Sequence, residues 1–160
     1  MQVKVLFFGQ LKEITGRAEE EVQVEEGSDL ERLVERYAGQ FPRLAAMREA
    51  VVLARNCEFA ERSALLNEGD EVAFLPPVSG GSDSATANTS AGDDQAECVA
   101  LVREPIDTGA LVARLQRDED GAVVIFEGVV RNHTEKKTTR YLEYEAYEPM
   151  ALARMGALAH

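Results

Sequence analysis

A chain of 160 residues with 45% apolar and 29% charged side chains, 12 glycines and 5 prolines has the composition of a globular protein, not of a disordered or fibrous one. Its 17 Lys and Arg stand against 29 Asp and Glu, a formal charge of −12 that repels a phosphate backbone and argues against a nucleic-acid binder. No apolar run approaches the ~18 residues of a membrane span, Met1-Gln2-Val3-Lys4 begins no signal peptide, and Cys57 and Cys98 suggest neither a disulfide framework nor a metal site, so a reducing cytoplasm is the expected compartment.

Val3, Val5 and Phe7 alternate with Gln2, Lys4 and Leu6, which predicts a strand buried on at least one face, and Glu20 to Val24 is a weaker second strand. Ser28 followed by Glu31 has the form of a capping box. Leu30, Leu33, Val34 and Tyr37 then recur at helical spacing, in a helix that should end before Pro42. Val51 to Ala54 is a short buried strand, and Asn67-Glu68-Gly69-Asp70 turns the chain into a last strand over 71–75. Strands paired around one packed helix give a small α+β domain.

Pro76-Pro77-Val78-Ser79-Gly80-Gly81 leaves that last strand through two rigid prolines and ends in two residues without side chains. Composition alone admits a plain domain-exit linker, or a tail built to enter a channel too narrow for a Cβ. Residues 82–96, SDSATANTSAGDDQA, hold no aromatic and no large aliphatic side chain, and so have too little apolar surface to offset the entropy of ordering. They read as a flexible linker between modules 1–81 and 97–160.

The stretch Val3-Lys4-Val5-Leu6-Phe7-Phe8-Gly9, the run from Asn67 to Gly81 and the spacing between them resemble the small subunit of molybdopterin synthase. That resemblance covers essentially all of residues 1–81. It implies a ubiquitin-like β-grasp sulfur carrier whose Gly81, reached through Gly80, bears a thiocarboxylate.

In the second module, Cys98 to Val102 reads as a strand, and Thr108 as the N-cap of a helix carrying Leu111, Val112 and Leu115. Asp120-Gly121 is a turn signal before the apolar run Ala122 to Phe126. Leu142, Tyr144 and Ala146 alternate as a half-exposed strand, and Pro149 stands in the first turn of a closing helix. Between the strands lies Arg131 to Arg140, with four fixed positive charges and one negative. Such a loop is either a solvated hairpin or a local anion site, and Arg131, following Gly128-Val129-Val130, is the residue a strand could hold at a pocket. His133 has no local orienting partner, the cysteines read as small apolar residues, and Tyr141, Tyr144 and Tyr147 as packing or interface residues.

Arg117 to Val124, Gly128 to His133, and Leu142 to Tyr147 with Met150-Ala151 resemble the large, catalytic subunit of the same enzyme, an α/β-hammerhead domain. The two resemblances together imply a fused synthase that moves sulfur from the Gly81 thiocarboxylate to cyclic pyranopterin monophosphate, forming the dithiolene of molybdopterin. They place Val129, Val130 and Arg131 at the substrate, Arg131 gripping its anion, and require no metal or other cofactor. They also imply an activating enzyme that adenylates and sulfurates the tail, and a homo-oligomer built through the large-subunit module. A thiocarboxylate needs a free carboxyl, so cleavage after Gly81 by a linker protease is expected. Residues 97–160 correspond to the N-terminal part of the catalytic domain, and the family's catalytic lysines and His-Arg pair belong to a later segment, which makes this chain read as a truncated synthase. The alternative is a carrier that delivers sulfur to another acceptor, with the second module serving only for docking.

Overall fold

Alternation at the amino terminus becomes β1 (Gln2–Phe7), with Val3, Val5 and Phe7 fully buried on one side. The computed structural model describes residues 1–77, 99–134 and 137–159. They form two units, Met1–Val99 with Glu145–His160, and Ala100–Tyr144.

In the first unit, β1 leads through α1 (Gln10–Thr15) into β2 (Glu19–Gln23), which pairs antiparallel with it. Next come α2 (Leu30–Gln40), α3 (Pro42–Met47) and a 3₁₀ turn (Arg48–Ala50). The strands β3 (Val52–Arg55), β4 (Glu58–Phe59) and β5 (Glu71–Leu75) complete a mixed sheet in the order β2-β1-β5-β3-β4. β1 and β5 run parallel at its centre, and the other pairs are antiparallel. One helix packed across such a sheet is the ubiquitin-like β-grasp arrangement that the family resemblance implies.

The core lies between α2 and the inner face of the sheet. Leu30, Leu33, Val34 and Tyr37 of α2 meet Val3, Val5, Phe7, Val72 and Phe74. Phe7, Tyr37 and Phe74 stand edge to face with ring centroids 5.0 to 5.5 Å apart. Such pairs contribute about 0.5–1.5 kcal/mol each beyond the area they bury. Tyr37 also donates its hydroxyl to Glu20 at 2.8 Å; burial first, then this hydrogen bond, holds the phenol protonated well above its usual range.

Several boundaries differ from expectation. The N-cap of α2 is Asp29, whose carboxylate accepts the Arg32 amide at 2.9 Å, while Ser28 is buried and its carbonyl accepts the Leu66 amide. Pro42 does end the preceding helix, but it also opens α3, because a residue without an N–H suits a first helical position. The pair Asn56-Cys57 closes a two-residue hairpin with both φ angles positive, 51° and 68°.

The second unit holds α4 (Thr108–Leu115), capped by Asp107 instead of Thr108, and the two-residue strands β6 (His133–Thr134) and β7 (Lys137–Thr138). The strands expected over 98–102, 122–126 and 142–147 are not found among the described residues, and Cys98 lies outside them. Their apolar side chains are largely exposed, Val124 at 93% and Phe126 at 96%. A run of strand-forming residues joins a ladder only where a neighbour pairs its amides, and among the described residues these runs belong to no sheet. The chain closes with α5 (Glu148–Ala159), in the first unit, with Pro149 in its first turn as predicted.

Candidate functional site

The tail of the first unit leaves from the middle of the sheet. Phe74, locked between Phe7 and Tyr37, fixes the end of β5, and Leu75 and the two prolines follow directly. Pro76 lies against the β1–α1 turn so closely that a Cβ on Gly9 would stand 3.1 Å from its Cγ. Gly9 itself has φ +50°, a backbone state that side chains resist. The root of the tail is therefore held by the buried aromatic cluster and by this close approach. Gly80 and Gly81, the linker 82–96 and Lys136 lie outside the described residues.

Val129, Val130 and Arg131 follow one another in an exposed segment of the second unit, outside its helix and strands. Arg131 leads directly into a small hairpin, in which the Thr139 amide donates to the Asn132 carbonyl at 2.8 Å and His133 pairs with Thr138. His133 Nδ1 lies 2.5 Å from Asn132 Oδ1, so this histidine does have a local polar neighbour, unlike the sequence expectation. The basic stretch is thus a turn-back of the chain that presents Arg131 at its base. Among the described residues no cluster of three or more His, Cys, Asp or Glu side chains is able to hold a metal ion, and no helix is long and apolar enough to cross a membrane.

Sequence reasoning missed a group that gathers on the outer face of the carrier sheet. Tyr147 is nearly buried there, its ring 5.6 Å from Phe8, and its hydroxyl donates to Glu71 while accepting from Cys57 Sγ at 3.2 Å. Burial first, and the bonds to Cys57 and Glu71 next, hold the phenol protonated far above its usual range. Glu145 accepts the Gly9 amide at 2.7 Å and pairs with Lys12, whose hydrogen bond is the main reason its carboxyl titrates below the usual range. The available signal was the spacing of Glu145 and Tyr147 ahead of Met150; the first two were read as one side of a strand, whereas the chain there leads into α5.

A β-grasp sheet whose central strand runs into Pro76-Pro77, with Gly80-Gly81 next in the sequence, is the plan of small carrier proteins. Residues 5–81 match the ThiS family, and residues 101–160 match the family described as MoaE protein. The molybdopterin synthase sulfur carrier subunit of Mycobacterium tuberculosis is 40% identical over 82 residues, covering 51% of this chain and 99% of that protein. Its counterpart in Arabidopsis thaliana is 36% identical over 81 residues, 51% of this chain and 84% of that protein. The chain belongs to the molybdopterin synthase sulfur carrier family, and a catalytic-subunit-like segment follows in the same chain. For that segment, the molybdopterin synthase catalytic subunit of Bacillus subtilis is 45% identical over 60 residues, 36% of this chain and 38% of that protein. The chain thus spans well under half the length of the catalytic relatives it matches. Kinship to both subunits supports a role in molybdenum cofactor biosynthesis.

Proposed function

We propose that the protein is a fused molybdopterin synthase in which residues 1–81 carry sulfur on Gly81 and the segment after the linker takes part in its transfer to cyclic pyranopterin monophosphate. The observation that carries this reading is the occurrence, in one chain and in this order, of segments related to the carrier and catalytic subunits. The geometry at the tail root fits it: a fixed strand end leads into Pro76-Pro77, and in the sequence that follows Gly80 and Gly81 have no side chains to obstruct a narrow channel.

In this reading an activating enzyme adenylates the Gly81 carboxylate, and a sulfur donor displaces AMP to leave a thiocarboxylate. The thiocarboxylate sulfur then forms a C–S bond to a substrate carbon as a C–O bond of that carbon breaks and its oxygen leaves, with the phosphate or as water; water next cleaves the acyl C–S bond, returning Gly81 as a carboxylate and leaving the sulfur on the substrate, and a second charged tail repeats the transfer to complete the dithiolene. Arg131, with the backbone of Val129 and Val130, holds the anionic part of the substrate, which needs positioned cations as negative charge develops. A free carboxyl at Gly81 requires hydrolysis of the Gly81–Ser82 peptide bond, by a protease that recognises the linker 82–96. A cytoplasmic setting and a homo-oligomer through the second module belong to the same proposal.

The test is the intact mass of the protein purified from cells that express the full gene and its activating enzyme. The expected result is a fragment ending at Gly81, part of it with one terminal oxygen replaced by sulfur. Uncut chain alone, still active in sulfur transfer, would overturn the cleavage step.

A further inference from the structure

A substrate oxygen that departs as water needs a proton at the moment its C–O bond breaks, and splitting the acyl C–S bond afterwards needs a proton taken from water. One imidazole serves both steps, because it gives up and takes a proton near neutral pH. The chain has two histidines, His133 and His160. His133 stands two residues after Arg131, in the stretch 131–140 that carries four fixed positive charges against one negative.

Its position is held from two sides. Along the backbone, the Thr139 amide donates to the Asn132 carbonyl at 2.8 Å, and the pairs His133–Thr138 and Thr134–Lys137 close the two arms of the hairpin. At the side chain, His133 Nδ1 lies 2.5 Å from Asn132 Oδ1. An amide oxygen only accepts, so the proton in that contact belongs to Nδ1, and Nε2 is the nitrogen left to exchange one. Both His133 and Arg131 are exposed, so an anion gripped by Arg131 has access to Nε2. An imidazole oriented through one nitrogen, with the other turned to the reactants, is the arrangement of an acid–base catalyst.

We propose that His133 is a further catalytic residue of sulfur transfer, acid and then base at Nε2, and that Asn132 is its positioning residue. This rests on the proposed function. In the first step the thiocarboxylate sulfur bonds to the substrate carbon, the C–O electron pair goes to the oxygen, and the imidazolium passes its Nε2 proton to that oxygen, which departs as water. In the second, the neutral Nε2 takes a proton from a new water molecule as the water oxygen bonds to the Gly81 carbonyl carbon. The acyl C–S bond breaks with its electron pair on the substrate sulfur, the glycine acid loses its proton to solvent, and the imidazolium is restored for the second tail.

The experiment uses the protein from the full gene with its activating enzyme, following the Gly81 thiocarboxylate by intact mass and the dithiolene by pterin product analysis. His133→Ala should carry as much thiocarboxylate as wild type and lower kcat by about 100-fold with KM little changed, and added free imidazole should recover a large part of the loss. Asn132→Ala should lower kcat by about tenfold, while Asn132→Asp, whose carboxylate accepts the same Nδ1 proton, should retain most of it. A His133→Ala protein as fast as wild type, a loss that appears only in KM, or a loss that imidazole does not relieve would overturn the catalytic role. Asn132→Asp as slow as Asn132→Ala would overturn the positioning role. Wild type that bears the thiocarboxylate but makes no dithiolene would overturn the functional reading and this role with it, whereas active wild type matched by His133→Ala would refute the role alone.

Discussion

Gly9 joins three demands at one residue: a φ of +50° to enter α1, a gap of 3.1 Å between a would-be Cβ and Pro76, and an amide that reaches Glu145. Alanine at this position keeps the amide but meets both the backbone penalty and the proline ring. Positive-φ strain in a residue with a Cβ costs on the order of 1–3 kcal/mol. Gly9→Ala should therefore lower the urea midpoint of the carrier transition by the equivalent amount, read by far-ultraviolet circular dichroism. An unchanged midpoint would show that the β1–α1 turn relaxes freely. The sequence showed Gly9 only as part of a family-like run; the reason for glycine becomes visible only when the start of the tail folds back beside it.

At the scale of elements, the carrier was legible because its periods are clean. Val3, Val5 and Phe7 mark a half-buried strand, and Leu30, Leu33, Val34 and Tyr37 mark an amphipathic helix, each pattern being satisfied within the unit. Caps were less legible, since Ser28 and Asp29 are both good capping residues and only the bond from the Arg32 amide decides between them. The segment 142–147 was misread because alternation does not reveal whether a strand has a partner. Its Glu145 and Tyr147 instead fasten the start of α5, and they give that contact a pH window. The carboxyl of Glu145 is held below its ordinary value of 4.5, chiefly by Lys12, so its contribution is fully present above that pH and is lost as pH falls through the lowered value. Tyr147 acts in the opposite sense: its phenol is raised above 10, so its contribution is full below pH 10 and lost only as the solution becomes more alkaline than its raised value. The methyl resonances of Ala54 and Ala73, lying beneath the Tyr147 and Met150 side chains, should hold constant through neutral pH and move toward solvent-exposed values only as pH falls below the ordinary carboxyl value of 4.5. Glu145→Gln should flatten the acid limb of that titration, and an acid limb that survives the substitution would assign it to another carboxylate.

For the whole molecule, the question is how one chain divides carrying from transfer. The carrier has its own core, and in the proposed function every step up to sulfuration involves Gly81 and an activating enzyme, with no demand on the second unit. Arg131 stands in that second unit, exposed at the base of a hairpin, and no contact it makes is needed by the β-grasp core. Loss of its guanidinium therefore separates the two tasks. Arg131→Ala should leave the amount of Gly81 thiocarboxylate unchanged while lowering dithiolene formation by a factor of ten or more, the scale on which removing a charge-assisted hydrogen bond of about 1.5–3 kcal/mol acts. Lysine at the same place should restore only part of the rate, because an ammonium lacks the planar fork that grips an anion with two parallel bonds. Intact mass reads the first quantity and pterin product analysis the second, on the same preparation. Equal loss of both would mean that Arg131 supports the fold or the activating encounter, and unchanged product would move the anion grip to another cation of the second unit.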